Sequence, residues 1–165
     1  MADFGMADLF ERCPDLAVRE TRTVFVPPGD ALPAGEYGFL ENYCVDSSCD
    51  CRRVVIRVCN AQNPTVALAT INYGWETEEF YRGWFKSAPP DEAAEMARDI
   101  TGTCLDLINP QSDYADYFLA LFREMIAHDA DYVARLARHY REFRRQGNPR
   151  RSGNTNRQRP KRRRR

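Results

Sequence analysis

Three thiols fall within eight positions, Cys44, Cys49 and Cys51, in the stretch YGFLENYCVDSSCDCRRVVIRV at residues 37–58. The flanks alternate. Tyr37, Phe39, Glu41 and Tyr43 would share one face of a strand over Glu36–Cys44, with Gly38, Leu40 and Asn42 on the other. Val54, Ile56 and Val58 would share one face of a strand over Arg53–Cys59, opposite Arg53 and Arg57. A connection this short cannot hold a helical crossover, so the two strands must be antiparallel neighbours with the cysteines in the loop between them.

The spacing is C-x4-C-x-C, and zinc binds thiolates at about 2.3 Å, which demands a compact loop of this kind. Asp46-Ser47-Ser48 supplies turn-forming residues. Arg52 and Arg53 are expected to lower the pKa of the adjacent thiols. A zinc ion held by Cys44, Cys49 and Cys51 is therefore the leading expectation. Cys59 is excluded as a fourth ligand, because eight residues of extended strand carry it about 26 Å from Cys51. Cys13, Cys104, His128, His139, Asp50 and water stay open as the fourth ligand. His139 is singled out because it falls on the apolar stripe of the last helix. Competing readings are buried thiols without metal, a thiol-dependent enzyme using Cys49 or Cys51 with Arg52 and Arg53 binding an anion, and a zinc-dependent hydrolase with water in the fourth position. The sequence contains no P-loop, GxGxxG, HExxH or GxSxG.

Strands precede helices along the chain. Thr21–Val26 is β-rich and stops at Pro27-Pro28-Gly29-Asp30; Thr65–Tyr73 reads as a fourth strand, with Ala67, Ala69, Ile71 and Tyr73 inward; Thr103–Ile108 fits a fifth. Thr77 suits an N-cap before the aromatic run Phe80, Tyr81, Trp84 and Phe85, which together with Tyr73 and Trp75 reads as a helix packing on the sheet rather than a stacking surface. Pro89-Pro90-Asp91 opens a short helix to about Arg98, and amphipathic helices fit Asp113–Ala127 and Ala130–Arg145. The order implies an α+β fold, an antiparallel sheet of four to five strands covered on one face by the C-terminal helices. Residues 1–20 read as an N-terminal arm or short helix, 21–145 as the α+β domain, and 146–165 as a disordered Arg-rich tail.

A formal net charge of zero conceals an asymmetry: residues 144–165 hold eleven Lys or Arg and no acid, against 13 basic and 24 acidic residues before them. The tail residues Arg150, Arg151, Arg157, Arg159, Lys161, Arg162, Arg163, Arg164 and Arg165 are the candidate contacts to RNA or DNA, through phosphate. The acidic body is a poor nucleic-acid binder by itself, and an accessory or binding module implies an unidentified protein partner. No apolar run spans a membrane and MADFGMADLF lacks the positive charge of a signal peptide, so the expected location is the cytoplasm, where cysteines stay reduced or bind metal.

The strings Tyr37-Gly38-Phe39-Leu40-Glu41, Tyr43-Cys44 and Cys49-Asp50-Cys51-Arg52-Arg53-Val54 resemble an uncharacterised family of small bacterial proteins with a YCxxxxCDCRRV motif. The likeness extends through Ile71-Asn72-Tyr73-Gly74-Trp75, Asn109-Pro110-Gln111-Ser112 and Arg138-His139-Tyr140, covers most of residues 20–145, and implies one globular unit but no activity. The C-x-C is also loosely similar to the SEC-C type of zinc motif. That motif's glycine-serine turn and downstream ligand pair do not follow Cys51, so it is not assigned.

Overall fold

Two strands organise the molecule. β3 (Gly35–Cys44) and β4 (Arg53–Asn60) run antiparallel, with Phe39 opposite Val58 and Glu41 opposite Ile56. In the computed structural model, which describes residues 5–147, β5 (Asn63–Gly74) returns beside β4, and β6 (Gly102–Leu105) closes that edge. On the other edge β3 is shared. β2 (Arg22–Val26) covers its first half and β1 (Met6–Asp8) its last three residues. Every pairing among these six strands is antiparallel.

The sixth strand, β1, comes from the stretch read as an arm or short helix. Three residues are too few to show a period, which is why sequence patterning misses it. α1 (Leu9–Arg12) follows at once, with Asp8 as N-cap and Glu11 completing a capping box. Pro14 opens α2 (Pro14–Glu20). Leu9, Cys13 and Ala17 are buried, so this segment belongs to the core.

The pleat sends Tyr37, Phe39, Tyr43, Val54, Ile56, Val58, Ala69, Ile71 and Tyr73 into the interior, as the alternation requires. Over them lie α5 (Ala115–His128) and α6 (Ala130–Gln146). Ring contacts knit the layers: Tyr37 to Phe118 at 5.1 Å, Tyr73 to Phe122 at 5.7 Å, and Tyr43 to Phe143 at 5.6 Å between centroids. Each such ring stabilises the fold by roughly 1.5–3 kcal/mol on burial. The architecture is the expected α+β one, the C-terminal helices packing on the sheet.

α3 (Glu78–Arg82), a 3₁₀ turn at Gly83–Phe85, and α4 (Pro90–Ile100) link β5 to β6. Thr77 caps α3 by accepting the Phe80 N–H. Tyr81 is fully buried whereas Trp84 is exposed, packing edge-on against Phe80 and Tyr81. β6 ends at Leu105, three residues sooner than the sequence implies. Asp106 donates its N–H to the Thr70 carbonyl, then turns the chain by accepting the N–H groups of Ile108 and Asn109. No helix among the described residues is long and apolar enough to cross a membrane. The disordered tail read over 146–165 falls outside the described residues from position 148; Gln146 itself ends α6.

Candidate metal centre

Cys44 is the last residue of β3, on the face opposite Tyr43. Cys49 and Cys51 lie in the loop that follows. Asp46 shapes that loop, accepting the Ser48 N–H (2.8 Å) and hydroxyl (2.7 Å) at Oδ1 while its carbonyl accepts the Cys49 N–H (3.3 Å). At the far end Arg52 has φ +47°, the one positive φ at a non-glycine among the described residues. Such a conformation costs of order 1–3 kcal/mol and persists only where its surroundings over-determine it. Here they do. Tyr81 donates its hydroxyl to the Arg52 carbonyl (2.9 Å), and the guanidinium pairs with Asp50 (2.9 Å) and Glu76 (3.2 Å) above the Phe80 ring.

This bend returns Cys51 toward the other two thiols, and the Sγ atoms of Cys44, Cys49 and Cys51 all lie within 4.8 Å of one another. Tetrahedral zinc at about 2.3 Å from each sulfur would set them about 3.8 Å apart, which that spacing accommodates. Cys51 is buried and the other two are half-buried. The three-cysteine group can hold a metal ion.

Burial and the mutual repulsion of the three sulfurs push the Cys49 and Cys51 thiols upward in pKa. This corrects the expectation that Arg52 and Arg53 lower them. Arg52 is turned to its two carboxylates, and Arg53 donates through Nη1 to the Ile100 carbonyl beside the Tyr81 ring. The Arg53 backbone N–H and the Tyr140 hydroxyl act in the lowering direction on Cys51 but do not outweigh burial. A free nucleophile needs a lowered pKa. Crowded thiols with raised pKa instead suit a cation, whose charge removes their protons.

α6 braces the loop from outside. Arg144 donates through Nη1 to the Cys49 carbonyl and the Tyr140 hydroxyl, and through Nη2 to the Ser47 carbonyl (2.9 Å). Arg144 lies in the last helix, as expected from Ala130–Arg145, although its charge counts with the basic C-terminal run. Its i,i+4 spacing from Tyr140 was the available signal that it belongs to a helix face.

His139 stands elsewhere. It is fully buried, its Nδ1 at 2.7 Å from Glu41 Oε2 and its Nε2 at 3.2 Å from Glu20 Oε2, and it takes no part in the cysteine group. Its stripe on α6 faces the sheet interior at Glu41, whereas Cys44 faces away from it. Tyr43 donates to the same Glu41 oxygen (2.7 Å) and to the Leu136 carbonyl (3.0 Å). His128 is exposed at the end of α5; Cys13 lies between α1 and α2, Cys59 on β4 and Cys104 on β6. Among the described residues none of these, nor Asp50, joins the three thiols. The tail residues Arg150 to Arg165 lie outside the described residues.

Compared with known proteins, the chain matches no family model, no curated protein and no solved structure.

Proposed function

We propose that the chain is a zinc-binding accessory module in which Cys44, Cys49 and Cys51 hold one zinc ion and the Arg-rich tail adds contact to nucleic acid. The observation that carries the metal reading is the approach of three Sγ atoms to within 4.8 Å in a loop braced by Arg144, Tyr140 and Tyr81. An all-thiolate donor set selects soft or borderline ions, of which zinc suits a compact, non-redox loop best. Three thiolates leave a zinc site with net charge −1. That weakens its power to acidify a bound water, which the neutral three-histidine sites do well. The charge favours the binding role over the hydrolase. The raised thiols likewise weigh against the thiol enzyme.

The test is elemental analysis of the full chain purified without added metal, with the Cys49→Ser variant beside it. About one zinc per chain, lost in the variant together with thermal stability, supports the reading. A metal-free chain as stable as a zinc-loaded one overturns it.

A further inference from the structure

The sheet face turned away from α5 and α6 carries a groove of about 640 Å³ that runs up to the cysteine loop. Its floor is the cross-strand row Asn42–Val55–Asn72, where β3, β4 and β5 are in register. One wall comes from β1 and α1, and the other from the turn after β6 at Asp106 and Asn109. Cys44 and Cys51 line its end, while Cys49 sits behind them against the Arg144 brace. A volume of this size suits a small molecule rather than a macromolecule.

The acids at the groove are already partnered. Asp8 pairs with Arg57 (3.3 Å) and accepts the Phe10 N–H. Asp106 accepts the Asn72 amide, the Asn109 amide and two backbone N–H groups. Arg53 differs. It is half-buried at the cysteine end, spends Nη1 on the neutral Ile100 carbonyl, and has no carboxylate partner among the described residues. A sequestered guanidinium without a carboxylate partner can take one from a ligand. A metal held beside it by Cys44, Cys49 and Cys51 would accept a fourth ligand of the same soft kind most readily.

Resting on the zinc reading above, we infer that the groove binds a small thiol bearing a carboxylate: its sulfur completes the metal's coordination and its carboxylate pairs with Arg53. The thiol binds as thiolate and releases its proton to solvent.

The experiment uses the full chain loaded with Co(II), whose absorption bands report the ligand set. The probes are 3-mercaptopropionate, 2-mercaptoethanol and propionate. Expected are a band shift with both thiols and none with propionate, and a margin of about tenfold or more for 3-mercaptopropionate over 2-mercaptoethanol, the worth of one charge-assisted hydrogen bond. Arg53→Gln should erase the margin while keeping the metal. Val55→Phe, which fills the floor while leaving Arg53 and the cysteines in the sequence, should abolish thiol binding and leave metal content unchanged; it serves even where Arg53→Gln does not fold. A loaded protein whose bands respond to no thiol, equal affinity for the two thiols, or binding that survives Val55→Phe overturns the inference and leaves the zinc reading standing. A chain that takes up no metal overturns both.

Discussion

Arg144 on α6 donates through Nη1 to the carbonyl oxygen of Cys49, ninety-five residues earlier in the chain. With Nη2 on the Ser47 carbonyl (2.9 Å), one guanidinium fork fixes two carbonyls of the cysteine loop to the last helix. The thiols themselves are not touched. What the contact sets is the direction in which the loop presents them.

Arg144→Ala should therefore weaken zinc retention by about ten- to hundredfold, the usual effect of removing a group that orients metal ligands. Arg144→Lys should recover only part of this, because an ammonium cannot reproduce the fork. Competition against a chromogenic chelator measures both. Retention equal to wild type in Arg144→Ala would show that the loop is organised without the helix.

His139 makes the opposite prediction. Its removal leaves Glu41, 2% exposed, without that hydrogen-bonding partner in the core. Breaking a buried pair from one side costs about 3–5 kcal/mol. His139→Ala should lower the urea midpoint by that amount yet keep its zinc, whereas exposed His128→Ala should stay within about 0.5 kcal/mol of wild type. Metal loss from His139→Ala at unchanged stability would return the histidine to the coordination sphere.

Those two residues show what was legible in the sequence. The strand alternation placed Tyr37, Phe39, Glu41 and Tyr43 on one face, and all four are buried. Nothing local marks Glu41 as the partner of a histidine 98 positions away. Thr77 was readable as an N-cap because capping is local chemistry. The same rule applied to Asp8-Leu9-Phe10-Glu11 would have found α1. The three thiols declared themselves by spacing. Arg52 and Arg53 misled, since adjacency in sequence says nothing about where a long side chain ends.

Gly74, opposite Arg53 in the β4–β5 ladder, is the tightest point beside the site. A Cβ there would lie 2.6 Å from the Tyr81 hydroxyl oxygen, 2.7 Å from the Ile100 carbonyl and 2.9 Å from Arg53 Nη1. Backbone and a committed phenol cannot yield cheaply, so Gly74→Ala should cost roughly 1–3 kcal/mol. It should also loosen the metal by freeing the Arg52 bend. Gly38→Ala, whose Cβ would meet only Leu40 at 3.6 Å, is the control and should be nearly neutral. Equal thermal midpoints for the two variants would contradict this packing.

Acid should dissolve one latch between α2 and α6. The hydrogen bond from Arg138 holds the Glu20 carboxyl down at about 2 against the opposing effect of burial, with His139 adding a lesser share. A depressed carboxyl contributes stability that is complete above its unfolded value of 4.5 and fades as pH falls toward 2. Glu20→Gln should thus be less stable than wild type at pH 6, and the gap in urea midpoint should close between pH 4.5 and 2. A gap of constant size across that window would mean the charge of Glu20 contributes nothing.

The basic tail runs to Lys161-Arg162-Arg163-Arg164-Arg165, with no aliphatic or aromatic side chain other than proline after Phe143. Its cations attract phosphate chiefly by releasing counterions, so each contact should add about 0.7–0.9 to the slope of log affinity against log salt. Base edges need donors held in fixed geometry, which a run of arginines does not supply, so different RNA or DNA sequences of equal length should bind alike. The body pulls the other way: residues 1–143 carry 24 acidic against 13 basic side chains and repel a polyanion, leaving the tail to do the binding. Truncation after Gly147 keeps α6 whole and should keep zinc content and thermal midpoint while eliminating gel-shift of a mixed-sequence oligonucleotide at low salt. A truncated domain that still shifts the oligonucleotide as the full chain does would move the nucleic-acid site onto the folded body and leave the tail without a role in it.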